Sequence, residues 1–243
     1  MQWSDEAIVL SVRPHAETSA VVELFTRNHG RHLGLVQGGR SRRLRPVLQP
    51  GNTVEATWKA RLSEHLGQLA LEPVKSHAAT ALDRPLALSG LACLTAMLRL
   101  LAERDPHPAL YEVTLFVLTY LEDDEVWPPV YARWELALLD DLGFGLDLSR
   151  CTETGQTDDL IYVSPRSGRA VSAAAGEPYR DRLLRLPGFL RGTGSSVLGP
   201  GDLADALSLT GHFLSSRVAE PRGHGLPDAR ERLLRALAKW GPH

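Results

Sequence analysis

The first eighty residues carry the two-residue period of strands. Ala7–Val12 is an apolar run ending near Pro14, and Ala20–Phe25 is a second. Arg31–Gln37 is a third, with Leu33, Leu35 and Gln37 on one face and His32, Gly34 and Val36 on the other. Thr53–Ala60 sets Val54, Ala56 and Trp58 against Thr53, Glu55, Thr57 and Lys59, and Gly67–Leu71 gives a fifth strand closed by Pro73. Asn28-His29-Gly30, Gly38-Gly39 and Pro50-Gly51-Asn52 supply turns between them. Five short strands so closely spaced predict a small closed barrel, and a five-stranded OB-fold fits the count.

Beyond residue 80 the period lengthens to that of helices. Leu86–Glu103, Pro108–Leu121 and Val130–Leu142 each carry an apolar stripe, the last stopping at Gly143. A helix over Asp202–Val218 follows Pro200-Gly201 with Asp202 as N-cap, and another over Pro227–Trp240 opens with Pro in its first turn and Asp228 suited to the helix dipole. Between Ser149 and Gly176 the helical pattern fails: Leu160–Val163, a Ser-Pro-Arg-Ser-Gly turn and Arg169–Val171 read as a hairpin. The expected fold class is α+β, with a barrel domain over 1–80 and a mostly helical domain over 81–243 that contains the hairpin insertion at about 149–176.

Composition sharpens the picture only locally. The 243 residues are 43% apolar, enough for a sizeable core, and the net charge of −2 says nothing about nucleic acid. The distribution is uneven. Residues 1–80 hold ten Lys/Arg against seven Asp/Glu, and residues 81–243 hold 17 against 22. With two cysteines, Cys93 and Cys151, no disulfide framework is indicated. The first residues lack the pattern of a signal peptide and no apolar run reaches about 18 residues, so a cytoplasmic protein is expected.

The chemistry concentrates after the third strand. Arg40, Arg42, Arg43 and Arg45 follow Gly38-Gly39 within six residues, where an exposed loop is expected, and arginine forks match phosphate oxygens in geometry and charge. A charge run alone suits a solvated face equally well. Its place in the basic third, between strands of an OB-fold, favours a polyanion-binding loop, with Arg31, Lys59 and Arg61 as further candidates. Trp58 suits base stacking or, more readily, the barrel core. No Gly-Lys-Ser/Thr follows the glycine pair, no Gly-x-Ser-x-Gly elbow occurs, and Glu122–Glu125 lacks a calcium-loop pattern, so no catalytic residues are assigned and an enzyme is not expected.

The Cys151 segment has the spacing of a zinc ribbon, two Cys-x2-Cys positions with 17 residues between Thr154 and Ser172. Only Cys151 is a thiol; Thr154, Ser172 and Ala175 hold the other positions. One thiolate cannot hold structural zinc, so the segment is either an ordinary hairpin or a zinc-ribbon-like hairpin lacking its ligands, and no cofactor is expected.

Taken together, Arg13–Ser19, Leu24-Phe25-Thr26, Gly30-Arg31, Gly38–Arg43, Leu48–Gly51 and the long run Arg133–Phe144 followed by Leu148 and Cys151 resemble the bacterial RecO family of recombination and repair mediators over nearly the whole chain. The resemblance implies an N-terminal OB-fold and a helical C-terminal domain often bearing a zinc ribbon. It implies binding of single- and double-stranded DNA, annealing of complementary strands, and binding to RecR and to the acidic tail of single-stranded-DNA-binding protein (SSB). With RecR, and with RecF at some substrates, such proteins help load RecA onto SSB-coated DNA. Arg133, which holds the motif's arginine before Trp134, is the candidate for the SSB tail; a surface arginine paired with an acidic neighbour is the competing reading. A protein-only adaptor remains the alternative to a DNA-binding mediator.

Overall fold

The computed structural model describes residues 1–62, 64–192, 198–199 and 201–239. Five strands, β1 (Gln2–His15), β2 (Ser19–Thr26), β3 (Gly30–Val36), β4 (Thr53–Lys59) and β5 (Gln68–Lys75), close a barrel in the order β1-β2-β3-β5-β4. All pairings are antiparallel except the closure of β3 on β5, a parallel contact at Leu35 and Gln68. This is the OB arrangement expected from the strand count.

β1 is far longer than its apolar run. Gln2–Ile8 zip to β4 while Ala7–His15 pair with β2, and a register shift between Val9 and Ser11 lets one strand bend across both partners. Its polar start is held by partners rather than by apolar burial. Ser4 and Thr57 share a hydroxyl contact of 2.8 Å, and buried Asp5 accepts hydrogen bonds from the Asn28 backbone N–H and amide. β5 runs through Pro73 instead of stopping before it. Pro73 lies opposite Val54, beside a register shift and beyond the last buried residue of the strand, where the ladder can lose a donor.

Ala7, Val9, Val22, Leu24, Val54, Ala56, Trp58 and Leu69 fill the barrel. On β3 the inward face is His32, Gly34 and Val36; Leu33 and Leu35 lie on the outer face, half-buried. Gly30 closes the β2–β3 turn at φ +67°, where a Cβ would stand 2.0 Å from the Asp105 carbonyl oxygen, so only glycine fits.

Compactness divides the described chain into one unit of residues 1–124 with 227–239 and a second over 125–226. The barrel ends at Lys75, near the expected boundary at residue 80, but helices α1 (His77–Ala81), α2 (Pro85–Leu98) and α3 (Pro108–Thr119) belong to its unit. α2 stops short of Glu103 because Glu103 bridges to Arg31 and the Arg104 N–H donates to the Arg31 carbonyl, drawing the chain off the helix and onto β3.

The second unit opens with α4 (Trp127–Asp141), begun by two prolines in its first turn. It ends in a Schellman motif: Phe144 N–H donates to the Leu139 carbonyl, Gly143 N–H to that of Asp140, and Gly143 sits at φ +84°. β6 (Leu160–Val163) and β7 (Ala170–Ser172) form the expected hairpin. α5 (Ala173–Gly176) follows, and β8 (Leu184–Arg185), which the pattern did not announce, adds a third strand beside β6. α6 (Asp202–Phe213) continues into a π-helical turn, Leu214–Ala219. Asp202 is its first helical residue and not its cap: Gly201, at φ +89°, precedes it, and the Asp202 carboxylate accepts the Gly199 N–H at 2.8 Å. Glu135 of α4, wholly buried, accepts from Tyr131 Oη (2.9 Å) and Thr210 Oγ1 (2.5 Å), tying α4 to α6. The last helix, α7 (Asp228–Leu237), returns to the first unit and packs on α2. Pro200 and Trp240, which bound two of the expected helices, lie outside the described residues. No helix among the described residues is long and apolar enough to cross a membrane.

Candidate nucleic-acid interface

The segment from Gln37 to Asn52 joins β3 to β4, and it is a built structure. Gly38 takes φ +66°, and Gly39 packs so closely that a Cβ there would lie 2.8 Å from that of Ala20. Two helical turns follow, closed by Arg45 N–H to the Ser41 carbonyl (3.1 Å) and Leu48 N–H to the Leu44 carbonyl (3.0 Å). Ser41 Oγ caps them by accepting the Leu44 N–H, and the Asn52 amide donates to the carbonyls of Pro46 (2.8 Å) and Val47 (3.2 Å). Helical spacing puts Leu44, Val47 and Leu48 on one side, where they pack against the barrel core. Arg42 faces away from them, and Arg43 and Arg45 stand on opposite flanks, all exposed. Apolar anchoring thus sets where the arginines leave the backbone.

Among the described residues no carboxylate pairs with Arg40, Arg42, Arg43 or Arg45. Arg40 reaches back to the β1–β2 turn and donates to the carbonyls of Ala16 (3.1 Å) and Glu17 (2.9 Å) while remaining exposed. Arg40 and Arg45 line a hollow of about 520 Å³ on one side of the segment. On the other side Arg43 lines a cleft of about 710 Å³ with Lys59, over a floor that includes Leu35, Leu44, Leu69 and Leu71. A third cleft shares Lys59, Leu35 and Gln68 with it and adds Arg61 and His65. Arg43, from the β3–β4 connection, and Lys59 and Arg61, at the end of β4 and just after it, therefore border two adjoining clefts along the β3–β5 closure. That closure is held by one pair of residues, which leaves an opening there.

Arg31 does not join them. Its guanidinium donates to the carboxylate of Glu23 and, through Nε, to the Leu101 carbonyl at 3.0 Å; Glu23 is 2% exposed and also accepts from Ser11 Oγ and Arg99 Nε. Arg31 neutralises a buried carboxylate and is spent on the fold. Trp58 belongs to the core: its ring packs against Trp3, its Nε1–H donates to the Leu66 carbonyl at 3.0 Å, and it takes no part in the clefts. Arg104, which no sequence motif marks, donates to the Glu64 and His65 carbonyls and so holds the β4–β5 loop that carries Arg61 and His65. It acts across 40 residues from φ +62°, and no local pattern marks such a contact.

In the second unit Arg133 is exposed yet engaged. Its Nε and Nη2 donate to the Phe189 carbonyl at 2.9 and 2.6 Å, and its guanidinium lies 5.8 Å from the Phe189 ring centre. The expected acidic partner is absent from these contacts; a backbone carbonyl stands in its place.

Cys151 and Ser172, one from each half of the ribbon spacing, meet in space. The Ser172 N–H donates to Cys151 Sγ at 3.3 Å, within a loop closed by Cys151 N–H to the Gln156 carbonyl and Gly155 N–H to the Cys151 carbonyl. Burial pushes the Cys151 thiol up, but the Ser172 and Thr154 hydroxyls and their backbone N–H groups outweigh it and bring the thiol down to about 6. Tetrahedral structural zinc needs four Cys or His donors. Here the four positions hold one sulfur, two hydroxyls and an alanine methyl, and this set does not fit the ion. Among the described residues no three His, Cys, Asp or Glu side chains gather into a possible metal site.

The fold and site define an α+β protein built on an OB barrel whose β3–β4 connection is an arginine-bearing plug anchored on the barrel core. The models of the Recombination protein O N-terminal and C-terminal domains match residues 1–77 and 83–225, and the chain belongs to the RecO family. It is 57% identical over 236 residues to the DNA repair protein RecO of Methylobacterium nodulans, covering 95% of this chain and 96% of that protein. It is 54% identical over 239 residues to the protein of the same name from Methylorubrum extorquens (96% and 97%), and 52% identical over 240 residues to that of Mesorhizobium japonicum (98% and 94%).

Proposed function

We propose that this chain is a DNA-binding recombination mediator acting in DNA repair, the process that the relatives' names state for those proteins. In this reading it anneals complementary strands and, with RecR and with RecF at some substrates, helps load RecA onto SSB-coated single-stranded DNA in the cytoplasm. The observation that carries the reading is the set of exposed, carboxylate-free cations on a rigid support: Arg40, Arg42, Arg43 and Arg45 on the plug, with Lys59 and Arg61 across the clefts. Such groups bind a phosphate backbone without reading its sequence, which suits a protein that acts wherever DNA is damaged. No bond chemistry is required. Bringing two strands onto one cationic surface screens their repulsion and promotes pairing.

The test is a fluorescence-anisotropy titration with a labelled single-stranded oligonucleotide and, in parallel, a labelled SSB tail peptide. Binding of both is expected, and the Arg40→Glu, Arg42→Glu, Arg43→Glu triple variant should nearly abolish oligonucleotide binding while the melting temperature holds. Undiminished affinity in the folded variant removes the plug from the interface. Peptide binding without DNA binding leaves the protein-only adaptor. Arg133→Ala tests the tail receptor separately. Because Nε and Nη2 already serve Phe189, a loss of peptide affinity has to come with an unchanged melting temperature to count as direct contact.

A further inference from the structure

The ribbon-like hairpin keeps a shape that a metal ordinarily imposes. Its first turn, Cys151–Gly155, closes on itself with Gly155 at φ +74°, and the second, Ser172–Gly176, again ends in glycine. At Gly176 a Cβ would stand 2.4 Å from the Tyr162 ring, so the second turn sits directly on β6. Zinc normally joins two such turns by attracting four thiolates to one point. Here backbone hydrogen bonds tie each turn to the hairpin and its flanks. Thr152 N–H donates to the Ala170 carbonyl at 2.9 Å, Ala170 N–H to the Asp147 carbonyl at 2.9 Å, and Ala173 N–H to the Asp159 carbonyl at 2.9 Å. At the centre the Cys151 sulfur, 1% exposed, accepts the Ser172 N–H at 3.3 Å. Ser172 is wholly buried, and its Oγ makes no regular hydrogen bond of its own.

We propose that the Cys151 sulfur takes the place of the metal, as a buried acceptor on which the two turns converge, so that the hairpin folds and persists without zinc. The sulfur and the Ser172 backbone N–H fit each other as acceptor and donor, whereas one sulfur, two hydroxyls and an alanine do not fit a cation. A carboxylate or imidazole at Thr154 or Ser172 would have kept part of a metal site, but neutral hydroxyls are not structural zinc ligands. Replacing the sulfur by a methyl removes the acceptor and leaves a buried N–H unsatisfied.

The experiment uses the full chain, purified without chelator. Metal analysis should give zinc far below one ion per chain, and the melting temperature should be the same in EDTA and in micromolar zinc. In Cys151→Ala, amide hydrogen exchange at Ser172 should quicken by about tenfold or more, while exchange in the OB barrel is unchanged. Stoichiometric zinc whose removal lowers the melting temperature overturns the proposal, and so does unchanged Ser172 exchange in Cys151→Ala. If that variant does not fold, Cys151→Ser serves, since a hydroxyl retains a weaker acceptor. Its Ser172 amide should exchange faster than in the parent, and parent-like exchange again overturns the proposal.

Discussion

Glu23 and His77 show how single residues set the response of the barrel unit to acid. Burial raises the carboxyl pKa of Glu23, but the hydrogen bonds from Ser11 and Arg31 and the charges of Arg99 and Arg31 reverse it, and the net shift is downward. A depressed carboxylate stabilises the fold above its unfolded pKa near 4.5, and that contribution is lost as pH falls below it. Glu23→Ala strands the half-buried Arg31 and should cost about 3 kcal/mol at neutral pH by urea unfolding. Burial, with the Lys75 charge adding to it, pushes the His77 imidazole down to about 4 from 6.5. The unfolded chain therefore takes up a proton between those values that the folded chain refuses. Stability from His77 is full above pH 6.5 and declines to pH 4, by about 3 kcal/mol in all. His77→Gln should flatten the pH dependence of the unfolding free energy between 6.5 and 4.5 relative to the parent, leaving the steeper loss below 4.5 that belongs to Glu23 and other carboxylates. An undiminished slope in the upper window would place the titration on another group, with His32, also lowered by burial, the first to examine.

At the scale of elements the plug between β3 and β4 couples packing to charge. Leu48 is 3% exposed and its backbone closes the second turn on Leu44, so Leu48→Ala should cost about 2–4 kcal/mol through the cavity it leaves. It should also weaken oligonucleotide binding several-fold with no charge altered, because the guanidinium groups lose their fixed support; anisotropy on a sample shown to be folded measures this. The alternation of apolar residues was enough to place all five strands, and the glycine pair with its arginines was enough to place the cationic segment. What alternation missed has a common cause. The start of β1 is polar because its partners are Thr57, Asn28 and His29, and a strand held by side-chain hydrogen bonds has no apolar signature. Arg31 looked like one more free arginine beside the plug because its partners, Glu23, Leu101 and Glu103, are brought to it only by the fold. Leu44 and Leu48 read as loop residues because two helical turns are too short for a period to show. The meeting of Cys151 with Ser172 was legible as spacing, yet spacing alone does not distinguish a hydrogen-bonded turn from a metal site.

For the molecule as a whole the net charge is −2, and the excess of cations is confined to the first eighty residues. No global field draws this chain to DNA, so affinity has to come from counterions displaced at local contacts, and the salt dependence counts those contacts directly. If Arg40, Arg42, Arg43, Arg45, Lys59 and Arg61 each neutralise one phosphate of a single strand, log affinity should fall with log salt with a slope of about −4, at roughly 0.7 per contact. Reversing Arg40, Arg42 and Arg43 should reduce the slope by about two, and Lys59→Ala with Arg61→Ala by about one more. The slope separates two roles that affinity alone confuses. If Leu48→Ala lowers affinity but keeps the parental slope, the same phosphates are still reached and only the support has loosened. If the charge reversals lower affinity and leave the slope unchanged, those arginines are not in contact with the backbone, and the adjoining clefts bordered by Lys59 and Arg61 hold the strand without them.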